Sequence, residues 1–185
     1  YNFYPASGAD RRSSYFVMQK SVGITDMGDF FQGVGAPKFR NVTSSGAAGS
    51  NATFPDTDFP MFRLADAYLI YAEAVVRGAG GSRATALGYI NQLRARAYGN
   101  ATGNITDAQM TLDFILAERG RELLWEAHRR TDLVRFGRFT GGAYVWAFKG
   151  KTPAGEATQA HLDLYPIPAA ELSANPKMTQ NPGYN

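Results

Sequence analysis

The predicted fold is decided by one stretch, E-R-G-R-E-L-L-W-E-A-H-R-R-T-D-L-V-R-F-G, which runs from Glu118 to Gly137. Its apolar residues recur at helical spacing, and they predict helix over 111–136 with a break near His128. The long first part, to about Ala127, is apolar on two sides and should therefore lie between other elements. Its charged side chains must be paired or open into a groove, because an unpaired buried charge costs about 3–5 kcal/mol.

Two more helices are predicted upstream of this stretch. The apolar period favours one helix over 61–77 and another over 82–98. The glycines within 78–81 should end the first helix, and Ser82 should cap the second. Two helices with a short turn form an antiparallel hairpin of tetratricopeptide type, which cannot bury its faces without stacked neighbours. The fold class is therefore mainly α.

The remaining segments are predicted to be irregular. Residues 1–60 form an aromatic-rich, loop-rich segment in which Ser13 to Lys20 could be a short strand, whereas 61–185 is the helical region. Residues 139–163 are also expected to be irregular, and Ala169 to Ala174 should form one short helical turn. Because the chain begins at Tyr1 and one hairpin needs neighbours, we expect it to be part of a longer protein.

The composition excludes several classes of function. The chain has 185 residues, no cysteine and a net charge of +3, so disulfides, zinc–thiolate sites and thiol nucleophiles are excluded and nucleic-acid binding is not expected. The two histidines, His128 and His161, have no metal-ligand spacing. No hydrolase nucleophile, P-loop or dinucleotide motif is present. We therefore expect no catalytic residue, no metal and no cofactor.

The charged residues between Glu118 and Arg135 allow two interpretations. Glu122 and Glu126 are four residues apart and could form a carboxylate pair for acid–base catalysis. The favoured interpretation is an ion-pair network that joins helices, with Glu126–Arg130 and Asp132–Arg135 at helix-pairing spacing.

The candidate ligand-binding residues are Trp146 and Tyr144, which alternate with Phe148 in a pattern typical of a strand or an extended loop. An aromatic ring can cover the C–H face of a pyranose as apolar area with a polar rim. The alternative is that these rings only pack the loop against the helices.

Four ordered blocks of sequence resemble the SusD/RagB family over residues 59–185. They are F-R-L-A-D-A-Y-L-I-Y-A-E-A (Phe62 to Ala74), I-N-Q-L-R-A-R-A (Ile90 to Ala97), E-R-x-R-E-L…E-x-H-R-x-x-D-L-V-R-F-G (from Glu118), and Y-P-I-P…E-L…N-P…Q-N-P-G-Y (from Tyr165). Upstream of these blocks, the family pattern is matched more weakly by Asp10 to Arg12 and by Lys38-Phe39. The sequence departs from the family pattern at Ala127, where glycine is usual, and at Arg130 or Thr131, where an aromatic is usual.

The resemblance implies a non-catalytic, cell-surface nutrient-uptake lipoprotein of Bacteroidetes, with tetratricopeptide-like hairpins and a less regular ligand-binding side. It implies an oligosaccharide ligand and a SusC-like TonB-dependent transporter of the outer membrane as partner. The membrane would be reached through a lipid anchor that this chain lacks, and much of the family's ligand site comes from upstream segments. Two other classes remain as alternatives: a helical-repeat scaffold that binds peptides or proteins, and a glycosidase that acts through a carboxylate pair.

Overall fold

The computed structural model describes residues 4, 8–15, 17–18, 21, 23–26 and 28–184. The chain divides into two compact units, Tyr1–His128 and Arg129–Asn185. Helices predominate over strands in the part of the chain that is described, which confirms the mainly α class.

Three α-helices build the first unit: α1 (Leu64–Val76), α2 (Arg83–Tyr98) and α3 (Leu112–Glu122). Helix α1 packs against both α2 and α3. The core between them is fully buried and apolar, and it contains Leu69, Ala72, Ala86, Ile90 and Ile115. The burial of these side chains at helical spacing is what orders the three helices, because isolated helices of this length are marginal in water.

The start and end signals of these helices are mostly those that the sequence predicted. The Ser82 hydroxyl accepts a hydrogen bond from the Thr85 amide at 3.2 Å and caps α2. The turn before it contains Gly78, Gly80 and Gly81, each with φ between 86° and 92°. Short 3₁₀ turns at Ala101–Gly103 and Asp107–Gln109 connect α2 to α3.

The predicted helix from residue 111 ends earlier than expected. Helix α3 stops at Glu122, and the segment up to His128 is a series of turns rather than helix. Trp125 and Ala127 have φ values of 58° and 61°, in the left-handed region, so the helical hydrogen-bond pattern cannot continue through them. The prediction was wrong here because the spacing of apolar residues gives no information about which residues have a left-handed backbone. Helix α1 likewise begins at Leu64 rather than at residue 61.

The segment before α1 is largely irregular. A 3₁₀ helix (Arg11–Tyr15) precedes β1 (Val17–Met18), which pairs antiparallel with β2 (Val34–Gly35), Val17 opposite Gly35. The predicted strand from Ser13 to Lys20 is therefore wrong at its start, and Phe16, Gln19 and Lys20 lie outside the described residues.

The second unit contains two short α-helices, α4 (Arg129–Arg135) and α5 (Ala169–Ala174), and 3₁₀ turns at Lys149–Lys151 and Ala160–Asp163. The short turn predicted at 169–174 is thus confirmed. The tail is fixed to the preceding segment because the Gln180 amide exchanges two hydrogen bonds with the backbone of Ile167, at 2.8 and 2.9 Å. Among the described residues, no helix has the length and apolar character that crossing a bilayer requires.

Candidate functional site

Three glutamates in the first unit form a buried ionic cluster, which we call the carboxylate cluster: Glu118, Glu122 and Glu126. Their exposed fractions are 0%, 3% and 3%, so each would be costly without a positive partner. Glu118 accepts from Arg12 at 2.8 Å, from Arg94 at 2.7 Å and from Arg121 at 2.6 Å.

Glu122 and Glu126 are paired just as fully. Glu122 contacts Arg12 and Arg63, each at 3.0 Å, and Arg96 at 2.5 Å. Glu126 contacts Arg63 at 2.6 and 2.8 Å and also Lys38. Arg12 and Arg63 each bind two of the glutamates, so the three carboxylates belong to one connected network.

The surroundings of Glu118 and Glu126 favour the ionised forms of these two carboxylates. Burial acts to raise the pKa of Glu118, but the positive charges of its guanidinium partners outweigh burial, and the pKa lies below the usual value. Burial acts in the same direction on Glu126, and the hydrogen bonds from Arg63 and Lys38 likewise lower its pKa overall. A general acid needs a raised pKa and access to substrate, so this arrangement is suited to joining elements rather than to catalysis.

The ion-pair interpretation of the charged stretch is therefore confirmed, although one predicted pair is wrong. Asp132 and Arg135 pair at 2.8 Å, three residues apart on α4. Glu126 does not pair with Arg130, because α3 ends at Glu122 and the four-residue spacing no longer lies on a helix. Glu126 instead binds Arg63 and Lys38, which are distant in sequence.

A separate pocket of about 400 Å³ lies in the second unit. Its aromatic lining consists of Phe139, Trp146, Phe148, Tyr165 and Tyr184, and its cationic lining consists of Arg130, Lys149 and Lys151. The volume is within the range of about 300–1,000 Å³ that is usual for small-molecule sites. None of the described residues that line it carries a carboxylate.

Trp146, one of the two predicted ligand-binding residues, lines this pocket. Its ring stacks against Phe139 with centroids 6.1 Å apart and planes inclined at 29°. Tyr144 is not a lining residue. Its ring lies 6.1 Å from that of Trp146, and its hydroxyl accepts a hydrogen bond from Arg129 Nη2 at 2.9 Å.

The loop that carries Trp146 is shaped by unusual backbone geometry rather than by strand pairing. Phe148 and Lys151, neither of them glycine, have φ values of 66° and 71°, a conformation that costs on the order of 1 kcal/mol or more. Gly155 approaches so closely that a Cβ there would lie 2.1 Å from the Trp146 carbonyl oxygen. The alternating aromatics lie on a loop rather than on a strand, but the loop is not extended, since it bends at 142–144 and turns at 147–148. The turn leaves Phe148 69% exposed.

Lys149 stabilises this loop through two hydrogen bonds to its backbone. It is only 3% exposed, and its Nζ donates to the carbonyl oxygens of Gly141 at 2.7 Å and Tyr144 at 2.6 Å. The same Nζ lies 4.8 Å from the centre of the Trp146 ring, a cation–π contact. Lys149 therefore connects the backbone of the loop with the Trp146 ring.

Arg130 is a second cationic residue of the lining. Its guanidinium carbon lies 3.8 Å from the centre of the Tyr165 ring and 4.9 Å from that of Phe139. Its Nη2 donates to the carbonyl oxygens of Leu162 at 2.9 Å and Asp163 at 3.2 Å. Cation–π contacts and backbone hydrogen bonds thus hold this charge in a fixed position.

The chain matches a known protein family over most of its length. The model of the SusD family matches residues 10–184. The chain belongs to the SusD family. The starch-binding protein SusD of Bacteroides thetaiotaomicron is 39% identical over 182 residues, which are 97% of this chain and 32% of that protein.

Solved structures of SusD-family proteins show the same fold. A SusD superfamily protein from Bacteroides vulgatus has a TM-score of 0.69 at 27% identity, over 97% of this chain and 37% of the other. Surface glycan-binding protein A from Bacteroides thetaiotaomicron, solved in complex with laminarihexaose, has a TM-score of 0.62 at 25% identity over 83% of this chain and 31% of the other. The chain thus spans about a third of the length of these SusD-family relatives.

Sequence reasoning found only part of the pocket. Phe148, which alternates with Trp146 and Tyr144 in the sequence, does line the pocket. The rings of Phe139, Tyr165 and Tyr184 and the three cations were not predicted, because no spacing pattern connects them to Trp146. Neither histidine joins a metal site: the His161 ring packs edge-on against Tyr184 at 4.8 Å, and the described residues contain no group of metal-binding side chains.

Proposed function

We propose that this SusD-family protein binds oligosaccharides at the cell surface without cleaving them and delivers them to a SusC-like TonB-dependent transporter of the outer membrane. A lipid anchor outside these 185 residues would attach it to the membrane. The observation that carries the proposal is the aromatic pocket of the second unit. Two proteins similar to this chain, a starch-binding protein and a glycan-binding protein solved with laminarihexaose, support a glycan as the ligand class.

The geometry of the pocket suits a sugar ring. Trp146 would serve as the platform for the C–H face of a pyranose, and the largely exposed rings of Phe148 and Tyr165 would cover its edges. Tyr144 would act from behind, by holding the Trp146 ring in place through their 6.1 Å ring contact and the bond to Arg129. The apolar area covered on Trp146 would contribute on the order of 1 kcal/mol or more.

The placement of the acids supports binding without cleavage. Glycoside hydrolysis generally needs two carboxyl groups on either side of the bond that is cleaved. The described lining of the pocket has none, and the carboxylate cluster of the first unit is buried under its own cations. The first unit is therefore proposed to be scaffold, and the second to contact ligand.

The test is calorimetry on the intact protein with maltoheptaose and laminarihexaose, beside an assay for released reducing sugar. We expect saturable binding and no release. Trp146→Ala should weaken binding about fivefold or more, given about 1 kcal/mol of lost stacking. The matched control is Trp125→Ala, because Trp125 is 65% exposed and lies in the other unit.

Three results would contradict the proposal. Release of reducing sugar would make the protein an enzyme, and absence of binding to any oligosaccharide would favour the peptide-binding alternative. Equal affinity of Trp146→Ala and Trp125→Ala, with a lower melting temperature for the first, would make Trp146 a packing residue. Co-purification of an outer-membrane transporter with the tagged protein tests the partner separately.

A further inference from the structure

The pocket of the second unit has three positively charged side chains and no carboxylate among its described lining residues. Arg130, Lys149 and Lys151 all line it, and among the described residues none of the three forms an ion pair. The contrast with the carboxylate cluster is direct, because there every buried acid is matched by at least two cations. The cations of the pocket are therefore arranged for something other than internal pairing.

Lys149 gives the clearest evidence. Its side chain is 97% removed from water, yet its ammonium group contacts only two carbonyl oxygens and the face of Trp146. An ammonium group has three N–H donors, so one remains after the two carbonyl bonds. A desolvated charge without a counter-ion is unfavourable, and an anion at the wall of the pocket would relieve that cost.

The nearby acids do not supply this anion. The Glu156 side chain packs against Gly150 of the lining, where a Cβ at Gly150 would lie 2.9 Å from Glu156 Oε1. Neither Glu156 nor Asp163 is itself a lining residue, and neither forms an ion pair with Arg130, Lys149 or Lys151. The Asp163 carboxylate accepts a hydrogen bond from Thr140 Oγ1 at 3.0 Å, and the Arg130 guanidinium contacts the Asp163 carbonyl oxygen rather than its carboxylate. The three lining cations outnumber these two acids, neither of which pairs with them, so a net positive charge remains for a ligand.

We infer that this pocket selects an anionic saccharide, one that presents a carboxylate or sulfate to Lys149, Lys151 and Arg130 while a sugar face stacks on Trp146. The inference rests on the proposed function and narrows its ligand class from oligosaccharides in general to acidic ones. The charge supplies the selectivity and the aromatic rings supply the stacking, because a ring platform alone does not distinguish a neutral sugar from an acidic one.

The test compares ligands that differ only in charge, by calorimetry on the intact protein. The pairs are a galacturonate trisaccharide with its methyl ester, for the carboxylate, and a sulfated neocarrabiose with its desulfated form, for the sulfate. We expect the acidic member of at least one pair to bind about tenfold more tightly, as one added charge-assisted hydrogen bond allows. The preference should shrink as salt rises from 50 to 500 mM.

Lysine variants then test which side chains cause the preference for the acidic ligand. Lys151→Met removes an exposed lining charge, and Lys149→Met removes the buried one, so the first remains informative if the second fails to fold. Each should reduce the acidic preference several-fold and leave the neutral ligand nearly unchanged. The control is Lys177→Met, which removes the same charge from an exposed position that does not line the pocket.

The outcomes separate this inference from the proposed function. Equal binding of charged and uncharged members, binding of neutral sugars alone, or a preference that persists in Lys151→Met and in every folded Lys149 variant would overturn the inference while glycan binding stands. Failure of every oligosaccharide, neutral or acidic, would instead overturn the proposed function.

Discussion

Replacing Glu122 with alanine should destabilise the protein strongly without changing its ligand specificity. The Glu122 carboxylate is 3% exposed and accepts from three guanidinium groups, those of Arg12, Arg63 and Arg96. When the Glu122 carboxylate is removed, the Arg12 guanidinium, which is only 4% exposed, loses one of the carboxylates that offset its burial.

The magnitude follows from the burial of these partners. Breaking a buried ion pair by removing one partner costs about 3–5 kcal/mol, because the remaining charge stays desolvated. For a chain of this size, each kcal/mol lowers the melting temperature by roughly 2–4 °C, so a fall of roughly 6–20 °C is expected. Glu122→Gln keeps the side-chain volume. If lost charge rather than lost packing is the cause, Glu122→Gln should show most of the same fall in melting temperature.

The assay is thermal unfolding beside calorimetry with the oligosaccharide that binds best. The control is Asp107→Ala, since Asp107 forms a 2.9 Å pair with Arg83 in which both side chains are about half exposed. Such surface pairs contribute about 0–1 kcal/mol. An unchanged melting temperature together with lost ligand binding in Glu122→Ala would refute the structural role and place the carboxylate in a binding site.

Two further predictions concern acid and backbone strain. The folded pKa values of Glu118 and Glu126 lie below their unfolded values, so their stabilisation is present above the unfolded pKa, about 4.3, and should be lost as pH falls through the folded values. Urea unfolding midpoints that stay constant from pH 5 to pH 3 would contradict this. Ala127→Gly should stabilise the protein by about 0.5–1 kcal/mol, because φ at Ala127 is 61°. The same substitution at Ala95, inside α2, should destabilise it by about 0.5–1 kcal/mol, and chemical denaturation measures both.

Ala127 is a position where the sequence shows a departure from the family pattern but only the structure gives its physical meaning. The resemblance marked it as a position where glycine is usual, but the residues alone did not say why. The left-handed backbone at Ala127 supplies the physical reason, since a glycine adopts that conformation without steric cost. Helix α3 has already ended at Glu122, and the left-handed residues Trp125 and Ala127 lie in the turns that follow it.

The sequence determined by itself the features that depend on local spacing. Helices α1 and α2 follow from apolar period and from the glycine and serine signals between them, and the Asp132–Arg135 pair follows from helical geometry. The ordered blocks carried the resemblance to the SusD family, and the family model confirms it. Each of these rests on residues that are close along the chain.

Only the tertiary structure decided which distant residues meet. Glu122 is paired with Arg12, 110 positions away, and the pocket joins Arg130 to Tyr184. No periodicity encodes such contacts, because their partners are fixed by how the chain folds back rather than by spacing. The three lining cations became a candidate anion site only once their lack of ion pairs and the absence of described carboxylates in the lining were known. Charge in a sequence shows how many ions are present, whereas the fold determines which of them lack a partner.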